Sequence, residues 1–532
     1  MSNPIRGRYG MAVAPHALAS QSAIAVLREG GNAIEAMVAA AATIAVVYPH
    51  MNGLGGDSFW LIGIPQAGAG LQVTGIDACG AAARGVRRAD YTGAIPFRGG
   101  TAAITVAGTL SGWDMALEIS RERLDGRLPL SRLLADAIDY ARDGFPVTDS
   151  QYRSTAAKQA ELMPVPGFAE AFMPHGRIPE PGTLFTQPRV AATLDELVRE
   201  GLSSFYRGDL ARSMARDLQT AGSPLTLDDL RTHGAVRRVP LELHHSHGRV
   251  FNLPPPTQGL VSLMILGLAD RLQLGALDHL GPDYIHLLVE AVKKAFQVRD
   301  RHITDPAHMT VMPESFLAPG VLDEIASAVD KGAAAPFGSG LGPADTVWMG
   351  VVDRQGVSVS MIQSIYHEFG AGIVLGESGV QWQNRGASFS LDPEHINALA
   401  PGKKPFHTLN PAMASLNDGR IVVYGAMGGD GQPQSQSAVF TRTAVLGMNP
   451  QDAVSAPRWL LGRTWGQSSD TLKLEGRFPA TTVDALRARG HDVEVYPDYD
   501  ETFGHAGCIV RDPDGGLSGG ADPRSDGSVA AY

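Results

Sequence analysis

Apolar and polar positions follow two rhythms along this chain, a helical one before residue 331 and an alternating, strand-like one after residue 345. Residues 18–28 carry apolar side chains at helical spacing and stop at Gly30-Gly31. Asn32 then precedes Ala33, with Glu35 three residues on, which predicts a capped restart. The second helix, over 33–47, is apolar on nearly every side and ends at Pro49, so it should lie between layers and not on a surface. Further helices are predicted over 130–141 and from Asp283, taken as a cap, to about Ala295, where Tyr284, Leu287, Leu288, Ala291, Val292 and Ala295 share one face. Residues 331–344 are rich in glycine, proline and small side chains and read as an exposed linker. Beyond it, Val347, Met349 and Val351 alternate with Trp348, Gly350 and Val352; a turn over 353–356 follows, and then a second alternating run over 357–362. This is a hairpin pattern. A further strand, 420–424, runs into the glycine-rich turn 425–431.

A length of 532 residues implies two or three domains or one large layered unit, and 44% hydrophobic residues suffice for an extensive core. The net charge of −11 argues against nucleic acid and anionic membranes as partners. The longest apolar run, 36–47, is too short to span a bilayer. The polar start of the chain runs into no hydrophobic signal core, and Cys79 and Cys508 have no metal-type spacing. A cytoplasmic protein without structural disulfides is the expectation.

Local motifs point weakly to chemistry. Gly53-Leu-Gly-Gly-Asp57 lacks the lysine of a phosphate loop and reads as a tight turn. The pair His244-His245 has no acidic or cysteine partner at ligand spacing and reads as surface or packing. There is no His-Glu-x-x-His. Asp345-Thr346 is an ordinary dipeptide, but a linker placed directly before a strand that opens on threonine suits an N-terminal nucleophile, which needs a reachable scissile bond and a rigid sheet.

The order and spacing of several motifs resemble the γ-glutamyltranspeptidase family: Gly30-Gly-Asn-Ala33, Pro49-His-Met-Asn-Gly-Leu-Gly-Gly56, Pro254-Pro-Pro-Thr-Gln-Gly259, Asp345-Thr346, Phe369-Gly-Ala-Gly372, Pro401-Gly-Lys-Lys-Pro405, Gly428-Gly429 and Asp522-Pro-Arg-Ser525. The resemblance implies an α+β fold, the αββα sandwich of two antiparallel sheets flanked by helices. It also implies one precursor cut before Thr346 into segments 1–345 and 346–532, which together form one unit. Thr346 would be the nucleophile and its freed α-amine, with a pKa of about 7.7–8.0, the base. Gly428 and Gly429 would line the oxyanion hole, and Ser364 stands where the family has a second threonine that holds the amine.

The same resemblance shows departures in the pocket that grips glutamate. Tyr366, Arg385, Ser388, His407 and Thr408 replace the family's usual polar set, and no arginine aligns beside Cys79, although Arg84 is near. An acidic amine partner is lost and Arg385 gained, which shifts the pocket from a zwitterion toward a plain anion. Arg385 could equally pair with Glu377 or Asp392. The wording of Tyr48-Pro-His-Met-Asn-Gly53 and Tyr366-His-Glu-Phe-Gly370 is more similar to oxamate amidohydrolases and related acylases than to transpeptidases. The expectation is an amidohydrolase acting on a small carboxylated substrate such as oxamate, with no metal or organic cofactor. Glutathione hydrolysis or γ-glutamyl transfer, and cephalosporin (glutaryl) acylase activity, are the alternatives. Pairing of the two-segment protomer into an α2β2 dimer is left open.

Overall fold

A computed structural model describes residues 3–66, 68, 70–337, 345–463 and 469–532. Among these residues two seven-stranded antiparallel sheets stack face to face. The first runs Ser528–Ala531, Gly10–Ala14, Asp345–Asp353, Ser358–Tyr366, Asp57–Gln66, Gly70–Ala78, Val236–Arg238 in spatial order. The second runs Ile5–Gly7, Leu517–Ala521, Ala506–Arg511, Ile421–Ala426, Ala412–Leu416, Gly248–Asn252, Leu241–His245. Both sheets therefore combine strands from before and after residue 345.

Side-chain parity explains the layering. Val347, Met349 and Val351 face the helical layer, where they join Met37, Val38 and Ala41 of the helix Ala33–Val47. Trp348, Val352 and Ile362 face inward, with Phe59, Phe251, Met413, Val423 and Ile509, between the sheets. The helices Gly259–Arg271 and Pro282–His302 cover the outer face of the second sheet. The helix Ala33–Val47 is buried along its whole length, and Asn32 and Glu35 cap it reciprocally, as the sequence predicts.

Three boundaries differ from expectation. The helix predicted over 130–141 is a single turn, Leu130–Leu133, followed by Ala135–Asp143. Leu133 and Leu134 are consecutive and both fully buried, and successive helical positions diverge by about 100°, so the chain turns at that joint. Asp283 is not a cap: Gly281 caps the helix, Pro282 occupies its first position, and the Asp283 carboxylate pairs with Arg489. The strand predicted over 420–424 is Ile421–Ala426, because Gly425 and Ala426 still pair with Gly507 and Ala506. The linker's described part, 331–337, is irregular, and 338–344 lie outside the described residues.

Two polar clusters explain sequence motifs. In Asp522-Pro-Arg-Ser525, Asp522 is buried between Arg458 and Arg524, and Arg524 also reaches Glu475 at 2.5 Å. On the helix Pro282–His302, His286 and Glu290 meet His491. His286 contacts His491 at 2.8 Å and the Asp330 carbonyl at 2.9 Å, and Glu290 pairs with Lys293, which donates to the Ala335 carbonyl. These groups hold the chain just ahead of the linker. His244 is exposed and His245 packs against Phe440, in keeping with a surface and packing role. Cys79 and Cys508 are buried and unbridged. No helix of the described residues is long and apolar enough to cross a membrane.

Candidate active site

Thr346 stands at the start of the strand Asp345–Asp353, almost completely buried. Its hydroxyl donates to Ser364 Oγ at 3.3 Å, and Ser364 Oγ also accepts from the Tyr366 amide at 2.8 Å. The hairpin brings these residues together: Val347 pairs with Gln363, and an irregularity between Asp345 and Val347 sets Thr346 beside Ser364. One strand further, Asp57 is the direct partner of Ser364.

The opposite sheet supplies the glycine turn. Trp348 projects from the Thr346 strand onto Gly425, where an added Cβ would lie 2.1 Å from the indole, and Gly350 faces Val423. The two strands thus cross so that falling numbers on one meet rising numbers on the other. Gly428 (φ 118°) and Gly429 (φ 51°) adopt backbone angles that suit glycine and open the helix Gln432–Phe440, a place where amide N–H groups point outward. Gln258, from the Pro-Pro-Pro-Thr-Gln motif, donates to the carbonyls of Gly429 (2.9 Å) and Thr408 (2.8 Å), joining the turn to the His407-Thr408 segment.

Arg385 is fully buried, and its guanidinium lies 3.9 Å above the Tyr366 ring. None of its three side-chain nitrogens has a hydrogen-bond partner among the described residues. It pairs with neither of the acids considered as neighbours: Glu377 lies with Arg216 and Ser213, and the Asp392 carboxylate bonds the Glu394 amide. Burial pulls the Arg385 guanidinium down to about 10, against the support of Tyr366 and Asp57. Tyr366 itself is held at φ 84°, a costly angle for an aromatic residue, and burial raises its phenol. Arg84 is exposed and does not take the place of an aligned arginine.

Asp57 and His407 lie within reach of the Arg385 charge, both with no exposed surface. One Asp57 oxygen accepts from the amides of Gly80 and Gly108, each at 3.0 Å, and the other lies 3.3 Å from His407 Nε2. Burial pushes Asp57 up to about 7, although the Arg385 charge opposes it. Burial and the charges of Arg385 and Lys404 hold His407 well below the usual imidazole range. The Thr408 hydroxyl is buried without a hydrogen bond among the described residues. Ser388 turns back to the Arg385 carbonyl and is a local brace. Asp57, Gln258 and Asn384, which accepts from the His367 amide and donates to Phe97, are site residues that sequence reasoning missed. The Gly53-Leu-Gly-Gly56 stretch is a tight turn as expected: a Cβ on Gly55 or Gly56 would strike the backbone of Gln381 or Ser364.

A family model described as gamma-glutamyltranspeptidase matches residues 19–532. The chain belongs to the γ-glutamyltranspeptidase family. It is 59% identical over 526 residues to the oxamate amidohydrolase proenzyme of Klebsiella pneumoniae, covering 98% of each chain. It is 42% identical to the glutathione hydrolase-like YwrD proenzyme of Bacillus subtilis, over 99% of each. The crystal structure of cephalosporin acylase from Bacillus halodurans superposes with a TM-score of 0.88 at 32% identity, covering 100% of this chain and 97% of that one. The αββα sandwich and membership of a family of amide hydrolases thus agree with the fold and chemistry expected from the sequence.

Proposed function

We propose that this chain is a self-processing amidohydrolase that cleaves the amide of a small carboxylated substrate of the oxamate type. Thr346 Oγ attacks the Asp345 carbonyl carbon, the peptide C–N bond breaks as the nitrogen gains a proton, and water hydrolyses the resulting ester. Segments 1–345 and 346–532 result, with a free α-amine on Thr346. In the second reaction this amine takes the Oγ proton as Oγ attacks the substrate amide carbon, and the amides around Gly428-Gly429 hold the oxyanion. The amine then returns the proton to the departing ammonia, and water frees the acyl group. Ser364 orients the Thr346 hydroxyl. Tyr366, Arg385, His407 and Thr408 form the substrate wall, and no metal or cofactor has a part.

The observation that carries the substrate reading is Arg385: a buried guanidinium, stacked on Tyr366, with no hydrogen bond among the described residues and only the through-space charge of Asp57 to balance it. A charged group is stable in such a place only when paired, and a ligand carboxylate is the natural partner. Similarity to the Klebsiella pneumoniae protein named for oxamate supports the same reading. The buried, unbridged cysteines support a reducing, cytoplasmic setting.

Intact mass spectrometry of the wild type beside Thr346→Ala, followed by ammonia release from oxamate and γ-glutamyl release from glutathione, tests this. Two fragments joined at 345/346, absent in the variant, and turnover of oxamate above glutathione are expected. An intact, folded wild type removes the nucleophile; a preference for glutathione removes the substrate class.

A further inference from the structure

Asp57 has no part in the chemistry above, yet it lies within reach of the Arg385 charge, next to Ser364 in strand register. Its first oxygen is fixed by two backbone amides, with the Gln383 amide also steadying the carboxylate, while the second faces His407, neither of whose ring nitrogens is hydrogen-bonded among the described residues. The titratable groups around the pair come from several segments. Arg385 is the main cation; Cys79 and the Tyr206 phenol feel the Asp57 charge; Lys404, bound to Asp77, acts on His407. The α-amine proposed for Thr346 lies two strands away, beyond Ser364.

We propose that Asp57 and His407 form a proton-sharing pair that matches the charge of this pocket to its ligand, so that a carboxylate entering against Arg385 draws one proton onto Asp57. The inference rests on the carboxylate reading of the pocket. With Asp57 ionised, Arg385 already has a balancing charge nearby, and a second carboxylate would bring surplus negative charge into a site that excludes water. Two carboxylates confined together cannot both stay ionised cheaply. A proton on Asp57 removes the surplus, and the acid can donate to His407 Nε2, which burial keeps neutral. In the empty pocket burial and Arg385 leave Asp57 near about 7. A bound anion cancels the help from Arg385 and adds repulsion, so the carboxyl rises further. Below neutrality the proton is already present and binding takes up none. Above it each anion takes up one, and affinity falls about tenfold per pH unit.

Calorimetric titration of the cleaved wild type with oxalate, in two buffers of different ionisation enthalpy, reads the proton count directly. No uptake at pH 6 and one proton per site at pH 8.5 are expected, with affinity about fifteenfold weaker at pH 8.5 than at pH 7, where half of the sites already carry the proton. Asp57→Asn keeps the shape and should bind oxalate with no uptake and little pH dependence. Uptake that persists in this variant belongs to another group, such as the Thr346 amine, and overturns the proposal. Infrared difference spectra of the wild type provide a check that needs no variant: a new protonated carboxyl band on binding at pH 8.5 supports the proposal, and its absence refutes it. Failure of the wild type to bind oxalate would sink the carboxylate reading and this inference together, whereas binding without proton uptake sinks this inference alone.

Discussion

Replacing Arg385 with methionine should make the protein more stable and far less active, and the opposite signs make the test informative. The guanidinium is buried without a hydrogen bond among the described residues. A value of about 10, well below that of an ordinary arginine, corresponds at about 1.36 kcal/mol per tenfold step to a cost near 3 kcal/mol for keeping the charge inside. Stacking on Tyr366 returns roughly 1 kcal/mol of that. Methionine fills similar space without charge, so a net gain of about 2 kcal/mol is expected. Urea unfolding should be run in the Thr346→Ala background, where the chain stays covalent. Catalysis moves the other way: two charge-assisted hydrogen bonds of roughly 1.5–3 kcal/mol each predict a fall of about 10²–10⁴ in kcat/KM for oxamate. A loss of stability on Arg385→Met would show that the guanidinium is satisfied by the protein itself, and the carboxylate site would lose its basis.

Gly428→Ala forces φ 118° on a residue with a Cβ; kcat should drop about 10²–10³-fold with KM little changed, read in steady-state assays. Gly425→Ala places a methyl group against the Trp348 indole and should cost about 1–3 kcal/mol in unfolding experiments while slowing self-cleavage on gels. In Asp522, burial raises the carboxyl but Arg458 and Arg524 outweigh it and hold it at about 2, below its ordinary value. The stabilisation is therefore present above about pH 4 and lost as pH falls through 2; it amounts to about 2 kcal/mol, and Asp522→Asn should flatten that acid limb of the stability curve.

What was legible in the sequence was local or periodic. Alternation from Val347 to Ile362 announced the hairpin, since a slip by one residue would turn Trp348 outward. Asn32 and Glu35 announced their cap because both partners lie within one turn. Motif order placed Thr346 and Ser364, and the structure brings them within hydrogen-bond reach. Motif position also picked out Arg385 and His407, but not Asp57, which meets them from a distant segment and ends a glycine turn whose local pattern accounts for it fully. Whether Arg385 had a protein partner depended on where Glu377 and Asp392 point, which spacing does not encode.

In the first sheet the order of strands takes one from the C-terminus, one from the N-terminus, two from the hairpin after residue 345, then more from the N-terminal part. If the chain is cut before Thr346, neither product owns a complete sheet. Folding is then a one-molecule problem before the cut and a two-molecule problem after it, with loss of the effective concentration that the linker supplied. A cleaved molecule that unfolds in dilute solution must find its other half by collision. Heat inactivation of the mature protein should accordingly reverse poorly and improve with protein concentration, while the uncut Thr346→Ala chain refolds at a rate independent of dilution. Self-cleavage would thus act as a clock that starts once, after folding has already succeeded.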